Sequence, residues 1–202
     1  MTRTVTASAF TALALATSLA FAGCASGGTE PNTSNESAAP AESSAPAAPA
    51  VEPAAGETVS GEGYSFKVPE GWGFPEDVPA GYDPSMFSAD LTDADGFADN
   101  VNIITSPAGE ITPEQVETAG VAELEGAGAT NVTALDRVTI GGKESAHLTA
   151  GFSAEGVDYT VDQYYLTADG QTHIVTFSFS PGVGQAERDE LAESVLATWT
   201  WS

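Results

Sequence analysis

Apolar positions along this chain fall into two periods, and each marks a different kind of element. Tyr64-Ser65-Phe66-Lys67-Val68 alternates apolar and polar residues, the period of a half-buried strand. Pro69-Glu70-Gly71 turns the chain after it, and Trp72 and Phe74 follow. Residues 86–91 and 101–105 read as two further strands, with an acidic loop at 92–100 between them. Four longer strand candidates occupy 131–140, 144–152, 157–167 and 171–179. Gly141-Gly142-Lys143, Ala154-Glu155-Gly156 and Ala168-Asp169-Gly170 supply hairpin turns between them. Val157, Tyr159, Val161, Gln163 and Tyr165 share one face of their strand, while Asp158, Thr160 and Asp162 share the other. On the last strand His173, Val175, Phe177 and Phe179 line one face. The pattern predicts an antiparallel meander with one buried face.

Two stretches carry the helical period instead. In Ile111-Thr112-Pro113-Glu114-Gln115-Val116, Thr112 can cap, Pro113 suits the first helical position and Gln115 can reach back to complete a capping box. Ile111 and Val116 are placed as a hydrophobic staple across that cap. Val116, Ala119, Leu124 and Ala127 then form a modest apolar stripe, and glycine at 126–128 ends the helix. Pro181-Gly182 breaks the last strand, and residues 185–196 read as a terminal helix with Leu191, Ala192, Val195, Leu196 and Trp199 on its inner side. Its acids Glu187, Asp189 and Glu190 sit at the end of the helix dipole that favours them.

The first 58 residues have neither period. Met1–Arg3 carries one positive charge, and an uncharged run of Ala, Leu, Thr, Ser and Phe follows to Ala22. That run is too short and too poor in large side chains to span a bilayer comfortably, but it fits a secretory signal at 1–23. Ala20-Phe21-Ala22 satisfies the rule for ordinary cleavage, whereas Phe21-Ala22-Gly23-Cys24 resembles the bacterial lipobox with Phe where Leu is usual. Cys24 is the only cysteine, so it cannot form an internal disulfide, and a lone exported thiol needs an explanation. Thioether attachment of a diacylglycerol supplies one, and two acyl chains hold far more firmly than a single chain. Cys24 is therefore the expected lipid attachment point, on the outer face of the cytoplasmic membrane. Residues 24–58 that follow are Ala, Pro, Ser, Glu, Gly and Thr with no aromatic, a composition that cannot offset chain entropy. They predict a disordered tether reaching up to about 100 Å at roughly 3 Å per residue.

Composition changes near Val59. Seven of the nine phenylalanines, all five tyrosines and all three tryptophans lie beyond it, enough for one globular domain at 59–202. The whole chain has 29 acidic against 5 basic side chains. In the domain the cations are Lys67, Arg137, Lys143 and Arg188 alone. That balance excludes nucleic acid as a partner, because phosphate binding needs a basic footprint.

Candidate chemistry is sparse. Setting Asp93, Asp95 and Gly96 against a calcium loop puts Leu91 and Asn102 where carboxylates are needed, so the loop at 92–100 fails as a strong calcium motif. His147 and His173, the only histidines, sit in strand candidates where they could meet and bind a metal, or serve as sheet residues. No G-x-S-x-G, H-E-x-x-H or Walker loop occurs. Tyr159, Tyr164, Tyr165, Phe177 and Phe179 could line a pocket for an apolar or glycan ligand, or fill a core. No catalytic residue, cofactor or metal ligand is expected from these patterns.

The opening Tyr64-Ser65-Phe66-Lys67-Val68-Pro69-Glu70-Gly71-Trp72 resembles the start of the PsbP-like superfamily. The Asn100-Val101-Asn102-Ile103 strand, followed by a helix, an antiparallel run and a C-terminal helix, is similar to actinobacterial lipoproteins of the LpqN type. The resemblance covers about residues 59–202. It implies an α+β fold, an antiparallel sheet packed with helices as an α/β/α sandwich. It also implies an envelope-associated accessory or ligand-binding role without a settled chemistry. The expected partners are the membrane, through the lipid, and an envelope protein, lipid or glycan ligand. The alternative is a tethered enzyme or metal-binding protein.

Overall fold

The computed structural model describes residues 51–202 apart from 77, 79, 80, 95 and 155. The expected signal peptide at 1–23, the lipid site Cys24 and the tether as far as residue 50 lie outside the described residues. In chain order the strands are β1 (Thr58–Gly61), β2 (Tyr64–Lys67), β3 (Trp72–Gly73), β4 (Phe87–Asp90) and β5 (Asn100–Thr105). The helical stretch follows as α1 (Pro113–Gln115), a π-helical turn (Val116–Gly120) and α2 (Val121–Gly126). Then come β6 (Thr130–Ile140), β7 (Lys143–Ala154), β8 (Val157–Ala168), β9 (Gln171–Phe179), α3 (Gln185–Leu196) and β10 (Thr200–Trp201).

The meander is present, and it forms the larger part of a seven-stranded sheet of order β3-β4-β5-β9-β8-β7-β6. Its hairpins close where glycine or a tolerant residue can take positive φ. Gly141 and Gly142 stand at 57° and 79°, and Asp169 and Gly170 at 51° and 79°, the two-residue turn that matches strand twist. A second sheet of order β1-β2-β10 brings the two ends of the domain together. Sequence reading missed β1 and β10, which are short and gain their pairing only from the returning chain.

Both faces of the large sheet are buried, where the sequence pattern predicted one. One face carries Val101, Ile103, Tyr164, Leu166, Val175, Phe177 and Phe179, packed against Ala192, Val195 and Leu196 of α3 and against Val59 and Phe66 of the small sheet. Trp199 stacks between that sheet and the core, 4.9 Å from Tyr64 and 5.5 Å from Phe66 by ring centroids. The other face carries Ala146, Leu148 and Tyr165 beneath Val116, Val121 and Leu124. The Asp158-Thr160-Asp162 side of β8, polar in sequence, is thus part of the main core face. The layers are helix, sheet, then helix with small sheet, an α+β sandwich as expected.

The first helix begins as its sequence dictates. Thr112 Oγ1 accepts from Gln115 N, and Gln115 Oε1 accepts from Thr112 N, completing the capping box. Its apolar stripe differs from the sequence reading. The π turn inserts extra residues per turn and moves the face, so Ala119 and Ala127 are exposed while Val121 packs inward. At Gly120 the helix backbone comes down on the sheet: a Cβ there would lie 3.3 Å from Val116 Cγ1 and 3.5 Å from Leu148 Cδ1. On α3, Leu191 is only partly buried, whereas Val195 is fully covered.

Packing also starts earlier than the change of composition near Val59. Ala54 is buried, and its N–H donates to Ser194 O on α3 at 2.9 Å. Gly56 N donates to Val68 O at 2.8 Å, and Val68 N to Glu57 O at 3.0 Å. Small residues that look like linker are therefore seated on the domain, because their backbone is hydrogen-bonded to it and Ala54 also joins the core.

Candidate functional site

Two of the four cationic side chains of the domain each hold a helix to one sheet face. Arg137 on β6 meets Glu117 through Nε and Nη2, and its Nη1 lies 2.8 Å from Glu114 and 2.6 Å from Glu144. This half-exposed cluster ties the first helical stretch down. Its own backbone N–H and then Arg137 hold the Glu114 carboxyl below its usual range, and Arg137 does the same for Glu117.

Arg188 does the same for α3, but in the interior. Its Nε donates to Asp162 Oδ2 at 2.8 Å, its Nη1 to Val183 O at 3.0 Å, and its Nη2 to Gln185 Oε1. Asp162 has no exposed surface and Arg188 very little. Burial alone would push the Asp162 carboxyl up; neighbouring His147, Thr149 and Arg188, with the arginine charge, outweigh it and hold the group below its ordinary value. The other oxygen, Oδ1, faces His147 Nε2 at 3.7 Å. The His147 ring lies flat on Tyr164 with centroids 4.1 Å apart. Neither His147 Nε2 nor Asp162 Oδ1 has a hydrogen-bond partner, although both are buried. Asp189, one residue along α3 from Arg188, adds a third ligating group, and one ligating atom from each of the three residues lies within 4.8 Å of the others.

His173 occupies a separate place. Strand β8 runs between β7 and β9, so the two histidines do not form one site. His173 is boxed by Tyr64, edge-on at 5.0 Å, and Trp201 at 5.8 Å, and its Nδ1 lies 3.1 Å from Thr105 Oγ1. Burial lowers its pKa from 6.5, against a smaller opposing pull from the charge of Glu62. The imidazole is therefore neutral at neutral pH. It opens on a cleft of about 300 Å³ lined by Glu62, Thr105, Asp169, Gln171, His173 and Trp201. A second cleft of about 230 Å³ lies beside it, past the β8–β9 turn, between Glu110, Pro113, Lys143 and Asp169. A hydroxyl bonded to a neutral imidazole is part of a nucleophile–base relay, but Glu62 acts on the ring through charge only, so among the described residues no acid orients it.

The remaining candidates fall as follows. Acids of the 92–100 loop and its flanks serve the backbone: Asp90 Oδ1 accepts from Thr92 N at 2.8 Å, Asp93 Oδ2 from Asp99 N at 3.3 Å, and Asp99 Oδ1 from Ser180 N at 2.8 Å. The five aromatics considered for a pocket are divided between faces. Tyr164, Phe177 and Phe179 are core beneath α3, Tyr165 packs under the first helix, and Tyr159 is half-exposed between Phe97 and Phe152, at 5.3 and 5.7 Å. Sequence reading passed over Asp162, Arg188 and Asp189. The available signal was Arg188 itself, a rare cation placed at the unfavourable end of a helix dipole.

No protein-family model matches this sequence, and no curated protein matches it. Solved structures do. A Mycobacterium tuberculosis protein, described as LpqN involved in cell envelope biogenesis, superposes with a TM-score of 0.50 at 19% identity, over 72% of this chain and 90% of its own. The cyanobacterial PsbP (CyanoP) of Synechocystis gives 0.47 at 17% identity, over 72% of this chain and 92% of that one. A Bacteroides thetaiotaomicron protein gives 0.44 at 17% identity over 73% of this chain, which spans about half (48%) of that protein.

Proposed function

From an LpqN-type, PsbP-like fold, which is the fold of this chain, we propose that the protein is an extracytoplasmic lipoprotein with a binding role at the cell envelope. A diacylglycerol on Cys24 holds it to the outer face of the cytoplasmic membrane, and residues 25–50 let the domain stand off. The observation that carries the reading is the lone cysteine closing an uncharged apolar run, ahead of a domain with the fold of a protein of cell envelope biogenesis. The domain acts without catalysis. Its ionisable groups support that view, since among the described residues no acid is bonded to His173 to complete a relay with Thr105, and Arg137 and Arg188 hold helices. The acid excess suits a partner surface that is basic or neutral, not an anionic one.

The test is fractionation. Cys24→Ser should leave the membrane and appear in the soluble fraction. Capture of the lipidated protein from its own membrane should then recover an envelope component that the soluble Cys24→Ser form does not hold at the membrane. A Cys24→Ser protein that still partitions into detergent would overturn the anchor.

A further inference from the structure

We propose that His147, Asp162 and Asp189 form a binding site for one divalent transition-metal ion of the zinc class, joining β7, β8 and α3. The inference goes beyond the binding role above and does not depend on it. One ligating atom from each of His147, Asp162 and Asp189 lies within 4.8 Å of the other two. His147 and Asp162 are 5% and 0% exposed, yet the two atoms that face each other are both without a hydrogen bond. A buried polar atom left unsatisfied is costly, so two at one point call for a common partner.

A direct His147–Asp162 hydrogen bond answers only part of this. It would still leave the carboxylate of Asp189 close to that of Asp162. Arg188 offsets the Asp162 charge from the other side, but its donors go to Asp162 Oδ2, Val183 O and Gln185 Oε1 and leave Oδ1 without a bond. A cation at the centre satisfies all three atoms. Metal–ligand lengths of about 2.0–2.2 Å put neighbouring donors roughly 3–3.5 Å apart. His147 and Asp162, at 3.7 Å, are nearly there. Asp189 closes the remainder by side-chain rotation, being the half-exposed member and the one on the solvent side.

The surroundings are those of an oriented ligand set. Arg188 fixes Asp162 through its far oxygen, Gln185 Nε2 donates to Asp189 Oδ1 at 2.7 Å, and the Tyr164 ring fixes the plane of His147. One imidazole with two carboxylates favours zinc, cobalt or manganese. Calcium, which wants six to eight oxygens, finds too few.

The experiment uses the full chain, stripped with chelator and titrated calorimetrically with Zn2+, then with Co2+ followed by absorption. One saturable site, a Co2+ spectrum showing nitrogen ligation and a raised Tm with Zn2+ are expected. Asp189→Asn, a surface change that leaves the fold intact, should weaken binding at least tenfold. His147→Gln should abolish the nitrogen signature, and His173→Gln should change neither. Absence of saturable binding up to millimolar Zn2+ would overturn the site. So would equal binding by wild type and Asp189→Asn, or displacement of Zn2+ by equimolar Ca2+, either of which marks diffuse association with an acidic surface.

Discussion

Replacing Arg188 with Met would strand the carboxylate of Asp162. The side chains are 10% and 0% exposed, so water cannot take over when the guanidinium is removed. Removing one partner of such a pair costs about 3–5 kcal/mol, most of it the penalty of the unpaired buried charge. Small domains have about 5–15 kcal/mol in total, so Arg188→Met should bring this one close to unfolding. Adding Asp162→Asn removes the stranded charge and should recover part of the loss, giving a double-mutant coupling on the order of 2 kcal/mol or more. The assay is urea titration with chelator present, so that no metal competes for Asp162. The sign with pH is fixed. The folded carboxyl titrates below its ordinary 3.8, so its contribution is present above that pH and is lost as pH falls through the folded value. The wild-type advantage over Arg188→Met should therefore shrink in acid. A neutral-pH loss below about 1 kcal/mol, the worth of a surface pair, would refute the reasoning. Strict additivity of the two changes would refute it as well.

Three other outcomes follow from particular contacts. Gly56→Ala places a Cβ 2.4 Å from Pro69 O and 2.5 Å from Val68 O, so it should destabilise the domain by about 1–3 kcal/mol in urea, and a neutral effect would mean residues 54–57 are not seated. Wild-type stability should fall as pH drops below 6.5, because unfolding frees His173 to take up a proton that its buried site resists; His173→Gln should flatten that limb, and an unchanged pH profile would contradict it. Val195→Ala, at a fully buried position, should cost about 2 kcal/mol, more per methylene than Leu191→Ala at its partly exposed neighbour. Equal losses per methylene in urea titration would mean that α3 is turned differently.

Much of this protein was determined by local pattern. Alternation placed the long strands, paired glycines and Asp169-Gly170 closed their hairpins, and Thr112-Pro113-Glu114-Gln115 began the first helix, because each rests on residues a few positions apart. The expected export signal and the proposed lipid site at Cys24 rest likewise on residue order alone. Tertiary structure decided the rest. Whether the Asp162 side of β8 faces water or core depends on α3, which returns from 26 residues later to cover it with Arg188. The edge strand β10 exists only because β2, far back in the chain, offers it an unpaired ladder. Ala54 and Gly56 carry no apolar signal, yet their backbones find carbonyls on α3 and just after β2. The helix stripe moved because a π turn changed its period where Gly120 meets the sheet. The juxtaposition of His147, Asp162 and Asp189 belongs to this second class, since a charge buried in the core is stable only with partners that folding brings from elsewhere in the chain.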